Sequence, residues 1–137
     1  MVIAIAFFWA GMVLAISFIE APLKFRAPGI TPALGLGIGK RVFTALNRLE
    51  IVFAAVVVAY AAIVRPSFEW PLYLLVVVVV LLAVQTIWLL PNLVRRANAV
   101  IAGENPPKGR LHLAFIAFEA IKLILLITAG VGQLMRR

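Results

Sequence analysis

The sequence contains no cysteine, no aspartate and only one histidine among its 137 residues. The absence of cysteine excludes disulfides, thiolate metal sites and thiol chemistry. One histidine and three methionines leave few soft or borderline metal ligands, and no Glu-x-x-His pair occurs. The sequence has no nucleophile-and-base set, no Walker motif and no nucleic-acid-binding module. It therefore favours neither an enzyme nor a nucleic-acid-binding protein, and we expect no cofactor.

What the chain has in abundance is apolar residues. They make up 65% of the sequence, charged residues only 13%, and the mean hydropathy is +1.13. Soluble domains are roughly half apolar, so this composition excludes a soluble globular domain. Four membrane spans of about 20 residues each leave only short connections in a chain of this length. The sequence therefore predicts a single membrane domain, residues 1–137.

Four apolar runs define the predicted fold, an all-α integral membrane protein built as a four-transmembrane-helix bundle. The helices are expected at about 2–22, 42–64, 70–90 and 111–135. The connection between Arg26 and Lys40 carries no charge and is rich in proline and glycine. We expect it to lie in the membrane interface or to fold back against the bundle. Its Gly35-x-Gly37-x-Gly39 run follows no strand and lacks the spacing of a phosphate cradle, so it indicates a close helix entry or flexibility.

The distribution of basic residues predicts the orientation in the membrane. The first and third connections carry eight of them and the opposite side three. By the positive-inside rule, both termini lie outside and the two basic connections face the cytoplasm of a bacterial inner membrane. The eight are Lys24, Arg26, Lys40, Arg41, Arg95, Arg96, Lys108 and Arg110, and the three are Arg65, Arg136 and Arg137. The expected partner of these groups is the lipid bilayer.

An internal repeat appears when the sequence is compared with itself at an offset of 69 residues. Rare residues coincide at this offset: Pro22 with Pro91, Arg26 with Arg95, Arg41 with Arg110, and Glu50 with Glu119. Each glutamate lies nine residues after its arginine, about 13 Å into the helix at 1.5 Å per residue. The pattern predicts two tandem helical hairpins that share one orientation, each delivering one glutamate to the same depth.

Polar side chains inside or beside the predicted helices are the candidate site residues. They are Glu50, Glu119, His112, Lys122, Asn47, Arg48, Gln85 and Glu20. An ionisable group within the membrane is costly, so each buried glutamate is a functional hypothesis, and these groups could line one polar pocket. The alternative is that Glu119 with Lys122, and Glu20 with Arg48, form ion pairs that only fix helix packing.

The leading functional hypothesis is a small transporter or channel in which Glu50 and Glu119 handle protons, cations or a cationic substrate. One alternative is a haem- or quinone-binding anchor of a redox complex, which would use His112 with Phe115 and Phe118. With one histidine per chain, a haem held by two histidines would need two subunits to meet. The other alternative is a structural or assembly subunit of a larger membrane complex.

A homo-oligomer or a larger membrane complex is expected, because four helices enclose little volume. Small residues allow helices in membranes to approach closely. Gly11 in the first helix and the Ala129, Gly130 and Gly132 cluster in the fourth therefore offer candidate contact faces.

Short motifs in order along the chain carry a family resemblance. They are Ala21-Pro22-x-x-Phe25-Arg26, Val42-Phe43, Leu90-Pro91 and Arg110-Leu111-His112. The sequence resembles bacterial four-helix membrane proteins related to the eukaryotic transmembrane protein associated with cisplatin resistance. The resemblance implies a compact helical bundle with a role in export or metal resistance.

Overall fold

The structure is a computed structural model that describes residues 2–64, 69–107 and 109–136. These residues form four helical passes and contain no strand. The passes are Val2–Lys24, Pro32–Val64, Trp70–Ile101 and Leu111–Leu134, and each is long and apolar enough to cross a membrane. The predicted all-α fold with four membrane-spanning helices is confirmed. Arg65, Lys108 and Arg137, which entered the charge count, lie outside the described residues.

The first and third passes each change helix type partway along, whereas the second and fourth are uninterrupted α-helices. The first pass consists of α1 (Val2–Val13), the π-helical segment π1 (Leu14–Glu20) and α2 (Ala21–Lys24). The second is α3 (Pro32–Val64). The third consists of α4 (Trp70–Val84), π2 (Gln85–Leu89) and α5 (Leu90–Ile101), and the fourth is α6 (Leu111–Leu134).

A proline directly follows each change of helix type and explains it. Proline has no N–H, and its ring clashes with the carbonyl four residues before it. The turn before Pro22 widens, so that the Ala21 N–H donates to the Ile16 carbonyl five residues back. Before Pro91, the Leu90 N–H donates to the Gln85 carbonyl in the same way. Both prolines thus lie within continuous helical passes and do not end them.

Two passes are longer than expected. The second begins at Pro32 rather than near residue 42, and the third continues to Ile101 rather than ending near residue 90. At 1.5 Å per residue, the 33 residues of α3 extend about 50 Å, compared with about 30 Å for the hydrocarbon core of a bilayer. The added turns of α3 and α5 pack against each other. We call this end of the bundle, where α2 ends and α6 begins, the basic end.

Glycines let the end of the first pass lie across the start of α3. A Cβ atom at Gly35 would overlap the ring of Phe25, and one at Gly39 would lie 3.0 Å from Lys24 Nζ. The glycine-rich run is therefore helical and serves close packing. Of the two expected arrangements, folding back against the bundle fits these contacts, which stabilise a helical conformation that glycine disfavours by itself.

The apolar core lies between α1, α4 and α6, with α6 packed against both of the other two. It includes Trp9, Val13, Leu75, Val78 and Leu126. Large apolar side chains on the outer faces of all four passes are exposed. Such a surface fits a lipid environment, since lipid is itself apolar.

The glycines of α6 are used within the chain. A Cβ at Gly130 would lie 3.0 Å from the ring of Phe7 on α1, and one at Gly132 would overlap the ring of Trp70 on α4. A Cβ at Gly11, by contrast, would have no atom within 4 Å. Of the two predicted contact faces, the one on α6 is therefore covered by the chain's own side chains, and the one at Gly11 is uncovered.

We expect Gly132→Leu to lower the thermal unfolding midpoint of the purified protein in detergent. Overpacking a contact of this kind costs about 1–3 kcal/mol. Ala117→Leu is the matched control, because it adds a leucine side chain at an exposed position of the same helix and should leave the midpoint nearly unchanged. Equal midpoints for the two variants would contradict the close contact between α6 and Trp70.

Candidate functional site

Two glutamates and one lysine form an ion cluster inside the bundle. Lys122 Nζ on α6 lies 2.5 Å from Glu50 Oε1 on α3 and 2.9 Å from Glu119 Oε1 on α6. The exposed fraction is 2% for Glu50 and 0% for Glu119 and Lys122. The two carboxylates therefore share a single buried ammonium group.

Neutral donors from the first and third passes complete the cluster. The Trp9 indole N–H donates to Glu50 Oε1 at 2.9 Å. The Gln85 amide donates to Glu119 Oε1 at 2.5 Å, and the Ser17 hydroxyl donates to Glu119 Oε2 at 3.0 Å. All four passes thus meet at one set of hydrogen bonds. We call its six residues, Trp9, Ser17, Glu50, Gln85, Glu119 and Lys122, the carboxylate network.

The positions of these residues follow from helix geometry. Glu119 and Lys122 lie three residues apart, which places them on one face of α6. Ser17 lies in π1 and Gln85 in π2, so both residues that donate neutral hydrogen bonds to Glu119 come from the widened turns. Such π segments occur frequently at functional sites.

The charges of the network do not balance. Two carboxylates and one ammonium sum to −1 when all three groups are ionised. A net charge inside a membrane protein is unfavourable, because the low dielectric strengthens every unscreened interaction. One proton or one monovalent cation is sufficient to neutralise the network.

Four predicted site residues, Glu50, Glu119, Lys122 and Gln85, come together in the carboxylate network. A fifth, Asn47, is buried one turn away on α3, where its Oδ1 accepts a hydrogen bond from the Thr86 hydroxyl at 3.0 Å. The side-chain oxygen of Gln85, Oε1, is also buried, and no donor among the described residues bonds to it.

The other three predicted residues lie away from the network. His112 is exposed at the start of α6, and Arg48 is exposed on α3. Glu20 is half-buried and pairs with Lys24 at 3.3 Å, not with Arg48. Each residue of an α-helix turns by about 100°, so Arg48 lies about 200° around α3 from Glu50 and faces away from the network. The predicted pairing of Glu20 with Arg48 is wrong, because Glu20 pairs instead with Lys24, one turn further along its own pass.

Sequence reasoning missed Trp9 and Ser17 as members of the network. Trp9 lies in an uninterrupted apolar run, where one indole N–H gives no pattern. Ser17 carries a weak signal, because it matches Thr86 in type at the offset of 69 residues. Both side chains donate to a carboxylate on another helix, and such pairings cannot be seen from one helix alone.

A cavity of about 340 Å³ lies next to the network, toward the basic end. Glu119 and Ser17 belong both to the network and to the cavity wall. The remaining wall is mostly apolar, with positively charged groups contributed by Lys24 and Lys40 and with His112 beside them. The cavity therefore connects one carboxylate of the network with the exposed part of the basic end.

Metal binding finds no support in the described part of the chain. No group of three or more His, Cys, Asp or Glu residues there could hold a metal ion. The lysine between the two carboxylates occupies the position at which a cation bridging them would lie. His112, the single histidine, lies at the cavity.

Comparison with protein families gives one finding. Residues 4–100 match the family model described as a domain of unknown function (DUF4149). This range includes Trp9, Ser17, Glu50 and Gln85, whereas Glu119 and Lys122 on α6 lie beyond it. Comparisons with curated proteins and with solved structures give no match. The resemblance to the cisplatin-resistance-associated protein stays a prediction.

Lys122→Met should destabilise the protein strongly, because it leaves two buried carboxylates without their cation. Removing one partner from a buried ion pair costs about 3–5 kcal/mol. The measurement is the thermal unfolding midpoint in detergent, with Arg48→Met as the exposed control. Adding Glu50→Gln to Lys122→Met should restore part of the loss, since it removes one of the uncompensated charges. If Lys122→Met and Arg48→Met unfold at the same temperature, the ion cluster contributes nothing to stability.

Proposed function

This chain belongs to the DUF4149 family, and we propose that it is a small membrane transporter or channel in which the carboxylate network exchanges a proton or a cation. The observation that carries the proposal is the double position of Glu119. It is fully buried in the network and it also lines the cavity. A charge taken up at Glu119 can therefore come from outside the bundle.

The charge of the network supports uptake of one positive charge at a time. The ionised network carries −1, and a single proton or monovalent cation brings it to zero. A second would give a net positive charge in the same low-dielectric surroundings. The network is therefore suited to take up one positive charge and no more, which gives it two states, ionised and neutralised.

Gln85 is suited to both states of Glu119. Its amide has two donor hydrogens and one acceptor oxygen. In the structure Gln85 Nε2 donates to Glu119 Oε1, the arrangement that an ionised carboxylate requires. Rotation of the amide by half a turn would present Oε1 to a protonated Glu119. Among the described residues, no donor bonds to this oxygen in the structure, so the rotation would break no hydrogen bond at Oε1.

A second candidate function is a structural one, and the many hydrogen bonds of the network favour it. Glu50 Oε1 and both oxygens of Glu119 each accept at least one hydrogen bond. Paired buried charges can serve only to specify how helices pack. The chain would then be an assembly subunit of a larger membrane complex, recovered with its partners and without transport activity.

The haem or quinone alternative stays a prediction. His112 and Phe115 both line the cavity, which is the feature that such a site would use. The visible absorption spectrum of protein purified in mild detergent decides the haem case, because bound haem gives a Soret band.

We also propose that the chain arose by duplication of one helical hairpin. Two observations support the offset of 69 residues. The hydrogen bond from Ala21 to Ile16 has its counterpart, at this offset, in the bond from Leu90 to Gln85. Buried residues also coincide at it: Trp9 with Val78, Val13 with Leu82, Leu46 with Phe115, and Val57 with Leu126. We further propose that the protein forms a homo-oligomer through the open face at Gly11.

The proposed location is a bacterial inner membrane, with both termini outside and the basic end in the cytoplasm. The chain has no cysteine, so single introduced cysteines report topology without background. A membrane-impermeant maleimide added to intact spheroplasts should label Met135→Cys and should spare Glu104→Cys. After membrane permeabilisation both should react. The reverse pattern in intact spheroplasts would invert the orientation.

Proton flux tests the proposed function directly. In proteoliposomes with a pH-sensitive dye inside, a potassium diffusion potential should drive proton entry through the wild-type protein. Glu119→Gln should reduce this rate to that of protein-free liposomes, because it removes the ionisable group that lines the cavity. Glu50→Gln should also reduce it, since Lys122 then holds Glu119 in a neutral pair.

Glu104→Gln is the matched control, because Glu104 is exposed in the connection before α6. It should conduct like the wild type. If the wild type conducts neither protons nor sodium or potassium above the liposome background, while remaining folded, the structural candidate replaces this proposal.

A further inference from the structure

The cavity at the basic end has the properties of a ligand site of its own. Its volume of about 340 Å³ falls within the range of about 300–1,000 Å³ typical of small-molecule sites. Such sites are mostly apolar, with a few polar groups that orient the ligand. The composition of this wall follows the same rule.

Aromatic rings contribute to the apolar part of the wall. Phe25 from the end of the first pass, Phe43 from α3 and Phe115 from α6 all line the cavity. The rings of Phe43 and Phe115 pack edge to face at a centroid distance of 4.9 Å. Phe25 and Ile116 line the cavity and are also exposed on the outside of the bundle. The apolar side of the cavity is therefore open to the lipid-facing surface.

Lys24 is one positive group of the cavity wall, and it forms an ion pair with Glu20. Its side chain is only 8% exposed, and its ammonium lies 5.0 Å from the ring centroid of Phe43 and 5.6 Å from that of Phe25. An ammonium has three donor hydrogens. Within the described part of the chain, Glu20 accepts one of them at 3.3 Å, which leaves two without an acceptor there.

Lys40 provides a second cation on the same wall. Its Nζ donates to Asn98 Oδ1 at 2.6 Å, a neutral acceptor that leaves the charge of Lys40 uncompensated. His112 also lines the cavity and adds a further polar group. These polar groups therefore come from the first, second and fourth passes and converge on one space.

The unused hydrogen-bond donors of the wall favour an anionic ligand over a cationic one. The one carboxylate in the wall, Glu119, already accepts hydrogen bonds from Ser17 and Gln85 and an ion pair from Lys122. Lys24, by contrast, has donors without acceptors. An anion at Lys24 would make charge-assisted hydrogen bonds, which are about twice as strong as neutral ones.

We infer that this cavity binds an amphiphile with one anionic head group and one alkyl chain, the head at Lys24 and Lys40 and the chain between Phe25, Phe43 and Phe115. The inference goes beyond the proposed exchange of protons or cations and does not depend on it. Binding at the cavity and flux through the network are measured separately.

The probe for this site is a dansyl-labelled undecanoate, added to the protein in nanodiscs of phosphatidylcholine. Its fluorescence should rise saturably with protein, compared with empty nanodiscs. The methyl ester of the same probe, and an analogue with a trimethylammonium head, should bind at least about tenfold more weakly, because each loses the charged hydrogen bonds. Equal binding of all three probes would overturn the anionic specificity.

Two variants separate the head group from the chain. Lys24→Gln should weaken binding of the undecanoate by about tenfold or more and leave the methyl ester unchanged. Ala21→Trp should abolish binding of both, because Ala21 lines the cavity and the indole would fill it. Ala15→Trp, on an exposed position of the same pass, should bind like the wild type.

Competition identifies the source of the head group. Dodecyl phosphate should displace the undecanoate, whereas nanodiscs that contain the two-chain lipid phosphatidylglycerol should not reduce its binding. Displacement by phosphatidylglycerol alone would replace the single-chain ligand with a membrane lipid. If Ala21→Trp, folded by its unfolding midpoint, binds the probe as Ala15→Trp does, the cavity is not the site.

Discussion

The fold depends on one ammonium group that serves two carboxylates. Lys122 lies between Glu50 on the second pass and Glu119 on the fourth, and Trp9, Ser17 and Gln85 bring in the other two passes. Apolar helix surfaces gain little by choosing one another over lipid, because lipid tails are equally apolar. Buried polar groups have no such freedom, since an unpaired one is costly. The network therefore specifies which helix faces meet.

The two prolines contribute to this arrangement without touching the network. Each widens one turn of a membrane-spanning pass, and the widened turns carry Ser17 and Gln85. The same passes then continue as α2 and α5, where they build the cavity wall with Pro22, Lys24 and Ala97. The neutral hydrogen-bond donors to Glu119 and part of the cavity wall therefore both lie on passes that carry the same irregularity.

The four passes and the depth of the two glutamates could be predicted from composition and spacing. Long apolar runs give the four passes, and the depth of Glu50 and Glu119 follows from their distance to arginine. The bounds of α3 could not be predicted, because glycine disfavours helix and only the contacts of Phe25 and Lys24 across Gly35 and Gly39 reveal why it is helical. The contact of Lys122 with Glu50 was also hidden, since these residues lie 72 positions apart, whereas its pairing with Glu119 on the same helix could be proposed from spacing.

The separation of these residues along the chain has a consequence for biogenesis. Chains emerge from the ribosome with the N-terminal part first. The second hairpin brings Glu119 and Lys122 on one helix, so its charges enter already paired. The first hairpin brings Glu50 alone, which has only the indole of Trp9 until α6 arrives. The fourth helix thus supplies the positive charge that the first hairpin lacks, and Glu50 gains its ion pair only when α6 has docked.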